Sequence, residues 1–87
     1  MKERVNKGAA LLDEKHPGWR EKINIDKFDI DHCNFCVLCQ LYGSYFNGLN
    51  QLNITGDATG HGFCPTDKDE IKALNDMWIE EIKVDIL

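Results

Sequence analysis

Cys33-Asn34-Phe35-Cys36-Val37-Leu38-Cys39-Gln40-Leu41-Tyr42, continuing as Gly43-Ser44-Tyr45-Phe46-Asn47-Gly48-Leu49-Asn50-Gln51-Leu52, decides how this chain folds. Phe35, Leu38, Leu41, Tyr42, Tyr45, Phe46, Leu49 and Leu52 recur at i, i+3, i+4 and i+7, the period of one buried helix face. Residues 32–52 therefore read as the core helix, with Asp31 as N-cap and weak points at Gly43 and Gly48. Tyr42 and Phe46 fit the buried stripe, while Tyr45 falls toward the surface.

On the N-terminal side, Val5, Ala9, Leu11 and Leu12 predict an amphipathic helix over residues 2–15. His16-Pro17-Gly18 ends it, since proline cannot continue a helix and glycine suits its end. Residues 19–23 form a short second helix with Trp19 and Ile23 on one face. Residues 24–31 alternate apolar and acidic side chains and read as an irregular connector; a strand there has no partner. On the C-terminal side, residues 56–62 are a glycine-rich loop by composition. Thr66 is the expected N-cap of a last helix of about five turns, marked by Ile71, Leu74, Trp78, Ile82 and Ile86. The fold class is all-α: three or four helices with one glycine-rich loop, in a single domain over 1–87.

Eighty-seven residues bury a limited apolar area, and so small a core often needs a metal, disulfides or a partner as a staple. The four cysteines supply the first of these. Cys33-x2-Cys36-x2-Cys39 opens the core helix, and Cys64 lies in His61-Gly62-Phe63-Cys64-Pro65 beyond the loop. Two clusters, one opening a helix and one in a loop, make a zinc knuckle, because zinc takes four soft ligands in a tetrahedron. A helix N-terminus also lowers thiol pKa, and Gly60 and Gly62 let the loop bend close to a metal. The expected ligands of a structural zinc ion are Cys33, Cys36, Cys39 and Cys64. In a continuous helix Cys33 and Cys39 point about 120° apart. Either Cys33 precedes the helix, or His61, at knuckle spacing from Cys64, substitutes for Cys39; His32 is the weaker substitute. Two disulfides would need an oxidising compartment, a redox Cys-x2-Cys normally sits in a βαβ unit, and Cys39 alone fits an apolar core stripe.

No catalytic apparatus accompanies the cysteines. His-x-Glu with Pro-Cys-x2-Cys, His-Glu-x2-His, a Walker loop and a nucleophile elbow are all missing from the sequence, so the expectation is a binding protein and not an enzyme. No apolar run approaches the roughly 20 residues of a membrane span, and the charged start leads into no signal-peptide core. The expected location is the cytoplasm.

Net charge is −5, unevenly spread. Residues 1–27 carry seven Lys/Arg against five Asp/Glu, and residues 28–87 three against ten. The acidic majority disfavours direct nucleic-acid binding and suits docking on a basic protein surface. Asp69, Asp76, Glu80 and Glu81, with Asp67 and Asp85 near them, line one side of the last helix as the candidate partner face.

Gly8-Ala9-Ala10-Leu11-Leu12-Asp13-Glu14, Pro17-Gly18-Trp19-Arg20, Cys36-Val37-Leu38, Gln40-Leu41-Tyr42-Gly43-Ser44-Tyr45, Gly48-Leu49 and His61-Gly62-Phe63 resemble a family of small uncharacterised phage and prophage proteins of Gram-positive bacteria. The resemblance covers about residues 8–64. Family members often have glycine in place of Cys39 and aspartate in place of Cys64, which makes the zinc set a speciality of this chain. In size, charge and cysteine content the chain is also similar to zinc-binding type II anti-CRISPR proteins. That similarity implies an inhibitor of a host RNA-guided CRISPR nuclease, acting in the cytoplasm of the infected cell and blocking DNA loading or cleavage. Two other readings stand beside it: a zinc-dependent phage transcription or DNA-binding accessory protein, and a homodimeric structural protein.

Overall fold

A computed structural model of the chain describes residues 2–32 and 34–83. Helices α1 (Lys2–Lys15), α2 (Trp19–Lys22), α3 (Val37–Tyr42), α4 (Tyr45–Leu52) and α5 (Ile71–Lys83) follow one another, with 3-10 turns at Thr59–His61 and Lys68–Glu70. No strand occurs among the described residues, as the unpartnered 24–31 segment implies. None of these helices is long and apolar enough to cross a membrane.

α1 buries Val5, Gly8, Ala9 and Leu12 as one stripe, which lies against α5 and the turn at 59–61. Gly8 is the close-approach point. A Cβ built there would stand 2.1 Å from the carbonyl oxygen of His61, well inside van der Waals contact, so only glycine lets the turn seat on the helix. Gly18 leaves α1 in the left-handed region at φ 80° and turns the chain into α2, whose Trp19 reaches the centre of the molecule.

The expected continuous core helix over 32–52 is two helices and starts later. Residues 32, 34 and 35 are bends and turns, and the N-cap is Cys36, not Asp31. Gly43 at φ 83° closes α3 by returning its N–H to the Cys39 carbonyl at 3.0 Å. Ser44 then caps α4, its hydroxyl accepting from the N–H of Asn47 at 3.1 Å. A glycine C-cap followed by a serine N-cap outcompetes the apolar period that runs through both. Gly48, expected as a weak point, is intact helix. It is where α4 passes α3: an added Cβ would meet the Leu38 Cβ at 2.8 Å. The restart at Ser44 also rotates the following helix, so that Phe46 is 74% exposed and Tyr45 turns inward, the reverse of the sequence expectation.

α5 is led in by a 3-10 turn and covers 13 residues, to the last described position; the rest of the expected five turns, with Asp85 and Ile86, lies outside the described residues. Its cap is Asp67 in place of Thr66, since the Asp67 carboxylate accepts from the N–H groups of Asp69 and Glu70. Leu74, Trp78 and Ile82 form its buried side.

The buried side chains make one continuous cluster. At its centre Trp19 meets Trp78 edge-on, with centroids 5.9 Å apart, and Phe63 stacks on the other side at 5.4 Å. Both geometries suit the ring quadrupole. The indole nitrogens keep partners as buried N–H groups must: Trp78 donates to the Gly62 carbonyl at 2.6 Å and Trp19 to Asp13 at 2.8 Å. Phe63 and Gly62 are thus clamped to α5, which fixes where Cys64 can stand.

Candidate metal centre

Two segments meet at the cysteines. The first is the start of α3, where Cys36 adopts extended backbone and its sulfur accepts from the N–H of Cys39. One helical turn brings the two thiols together, Sγ to Sγ at 3.1 Å, both buried. The second is the loop after Phe63. There Cys64, half-buried, donates its thiol to the Pro65 carbonyl at 3.4 Å. Tyr45 at the start of α4 stands between the segments. Its hydroxyl is pushed up to about 12, first by burial and then by the neighbouring thiols of Cys64, Cys36 and Cys39. One hydroxyl feels all three sulfurs, so three of the four sequence-predicted ligands converge on one region. Cys33 lies outside the described residues.

The convergence stops short of a finished site. Among the described residues, no three His, Cys, Asp or Glu side chains are grouped so that they could hold a metal ion. The turn of the Cys64 thiol toward Pro65 explains part of that. For the Cys36–Cys39 pair the fit is close. Zinc–sulfur bonds of about 2.3 Å at tetrahedral angles put sulfurs roughly 3.8 Å apart, so this pair, at 3.1 Å, need open by only about 0.7 Å.

The helix N-terminus does not dominate the thiol chemistry as the sequence implied. Cys36 is pushed up to about 12, with burial as the largest cause and the adjacent Cys39 thiol next; hydrogen bonds from the backbone N–H groups of Cys39 and Leu38 pull the other way and lose. An apolar site disfavours the charged form more than two amides favour it. Only a cation bound to the sulfur would reverse that order.

The two histidines differ. His32 lines, with Ile30, Cys36, Tyr45, Phe63 and Cys64, an open groove of about 280 Å³. Its Nδ1 accepts from the N–H of Asn34 at 3.1 Å, which puts the proton of the neutral ring on Nε2, the wrong tautomer for ligation through that atom. His61 does not line the groove. Its Nδ1 donates to the Asp57 carbonyl at 2.9 Å, with the Asp57 carboxylate at 3.2 Å, and its ring lies parallel to Phe63 at 6.5 Å. It braces the turn that receives α1.

The acidic residues divide too. Asp69, Asp76 and Glu80 are exposed, and Asp76 pairs with Lys72 at 3.1 Å. Glu81 is not part of that free face. Its carboxylate and its carbonyl hold Arg20, at 2.8 Å and 3.1 Å, and Arg20 in turn holds Asp13 and covers the Trp19 ring. The 100° step of a helix puts Glu81 a full turn-third away from Glu80, over the α2 side.

A second open groove, of about 600 Å³, lies between residues 28–31 and α5, with Phe28, Asp29, Lys72, Asn75 and Asp76 among its lining. Asn75 closes its floor by accepting from the N–H of Ile30 at 2.6 Å. No histidine or cysteine lines it. Compared with protein-family models, curated proteins and solved structures, the chain matches none.

Tyr45 and Arg20 are the residues that sequence reasoning missed. Tyr45 was hidden by the helix restart, which no spacing rule carries. Arg20 had a signal, an arginine beside a buried tryptophan in so short a helix, but its partners are 7 and 61 residues away.

Proposed function

We propose that this chain is a non-enzymatic binding protein whose loop and core are stapled by one zinc ion, held by Cys33, Cys36, Cys39 and Cys64. The observation that carries the reading is the groove that Cys36, Tyr45 and Cys64 line together, with the Cys39 sulfur 3.1 Å from that of Cys36. Three sulfurs from two segments, gathered in a chain with little core to spare, fit a structural site better than chance burial of four unrelated cysteines. Zinc would hold these thiols as thiolates against the effect of burial, displace Tyr45 from their midst, and bind the 62–66 loop to the start of α3.

The partner we propose is a host RNA-guided CRISPR nuclease, and the effect is to block its DNA loading or cleavage. Its nucleic-acid channels are basic, and exposed Asp69, Asp76 and Glu80 supply a complementary surface. Glu81, engaged with Arg20, is left out of that surface.

The test combines metal analysis with a cleavage assay. Protein purified without added zinc should carry about one zinc per chain, form a complex with a type II effector on gel filtration, and suppress target-DNA cleavage. Asp69→Lys with Asp76→Lys and Glu80→Lys should weaken that complex at least tenfold while leaving the metal content unchanged. A chain that neither co-elutes with nor inhibits any such nuclease is not an inhibitor of this kind.

A further inference from the structure

We infer that Cys36 and Cys39 form a thiol–disulfide exchange site that takes low-molecular-weight disulfides as substrate and closes into an intramolecular Cys36–Cys39 bond, leaving Cys64 as a thiol. The two sulfurs already stand 3.1 Å apart, about 1 Å from bonding distance. Helical geometry places α-carbons three residues apart at about 5 Å, inside the range a disulfide spans, so closure needs rotation of side chains and no movement of backbone. Cys36 is the N-cap, in extended backbone, with its carbonyl accepting from the Gln40 N–H at 3.0 Å and its sulfur from the Cys39 N–H. Cys64 faces the Pro65 carbonyl instead of the pair.

Both side chains are buried, Cys36 at 4% and Cys39 at 7% exposed, and the open groove reaches Cys36, which sets the order of events. The Cys36 sulfur, in the small fraction of chains that has lost its proton against the effect of burial, attacks one sulfur of the small disulfide and expels one thiolate, giving a mixed disulfide. The Cys39 sulfur, losing its proton in turn, attacks Cys36 and expels the second. One dithiol is oxidised, one external disulfide is reduced to two thiols, and the two protons go to the leaving thiolates. Where the pair holds zinc, as proposed above, the same exchange removes two of its four ligands and frees the ion. The disulfide itself requires no metal, so the two readings fail separately.

The experiment uses the full chain in glutathione buffers of increasing glutathione disulfide content, with alkylation, peptide mass mapping and a zinc-sensitive dye read together, and circular dichroism to confirm that the chain stays folded. Expected is a loss of two hydrogens located in a Cys36–Cys39 link, with Cys64 alkylated, in the native chain and in Cys64→Ser alike. Cys39→Ser should instead hold one glutathione on Cys36. Zinc release should rise in step with the link where the chain carries zinc. A link between other cysteines, or four thiols unchanged in the most oxidising buffer, would overturn the inference; absence of zinc with the link formed would overturn only the zinc reading.

Discussion

Single atoms set the tolerances of this small core. Gly8 has no room for a methyl group because the His61 carbonyl occupies it, with the Phe63 ring 3.2 Å away on another side. Alanine in place of glycine in mid-helix normally stabilises by about 1 kcal/mol, whereas forcing an extra carbon into a packed contact costs about 1–3 kcal/mol. Here the obstacle is backbone of a turn that is itself fastened: Phe63 stacks on Trp78 and the Gly62 carbonyl receives the Trp78 indole. The packing cost wins. Gly8→Ala should lower stability by about 1–2 kcal/mol, or about 4–16 °C in melting midpoint for a chain of this size. Urea titration checks it; a gain in stability would mean the turn swings away from α1 at little cost.

Elements are joined by ion pairs that close long loops, and one of them titrates. Glu70, in the turn leading into α5, accepts from the Thr66 N–H at 2.9 Å and from Arg4 of α1 at 2.8 Å. Its carboxyl is held at about 2, most strongly by the Thr66 backbone N–H, then by the Thr66 side chain and Arg4. A carboxylate whose folded pKa lies below its unfolded value stabilises above the unfolded value and loses that contribution as pH falls. The α1–α5 clasp should therefore weaken from about pH 4.5 down to about 2. Stability of the native chain should fall across that window, and Glu70→Gln, less stable at pH 7, should fall less; urea midpoints at several pH values separate the two. The helices at either end of this clasp were plain in the sequence, since α1 and α5 each keep one apolar period from start to finish. The middle was not. Leu38, Leu49 and Leu52 all reach the core, so the period runs on across Gly43-Ser44 although the chain turns there, and the new phase exchanges Tyr45 with Phe46. The gathering of thiols was legible because spacing in a helix and a loop carries it. The tyrosine among them was not, because it depends on a rotation that only the packed α3–α4 pair defines.

At the scale of the whole molecule the question is what a staple adds to a core that already closes. Trp19, Trp78, Phe63, Leu12, Leu38, Leu74 and Ile82 are fully buried, and they draw on α1, α2, α3, α5 and the loop before Cys64. Cys36 and Cys39 belong to the same buried cluster, as two of its smaller side chains. So large a share of carbon side chains is expected to assemble the helices without zinc, unlike small zinc domains with almost no apolar interior. What the thiols reach, and the aromatic core does not, is the short path from the end of the Phe63 loop to the start of α3. Removing a bound ion should lower stability by the linkage amount, which grows with the logarithm of zinc concentration over its dissociation constant, and should loosen that path first. Treatment with a strong chelator is expected to leave the helical circular dichroism at 25 °C unchanged while lowering the melting midpoint by several degrees. Cys64 should become reactive toward thiol reagents before Cys36 and Cys39, which sit deeper. Cys64→Ser should reproduce the lowered midpoint and no longer respond to chelator. Collapse of the helical signal on chelation would mean that the aromatic cluster cannot hold the fold by itself; an unchanged midpoint in the native chain would mean that no staple joins the loop to α3.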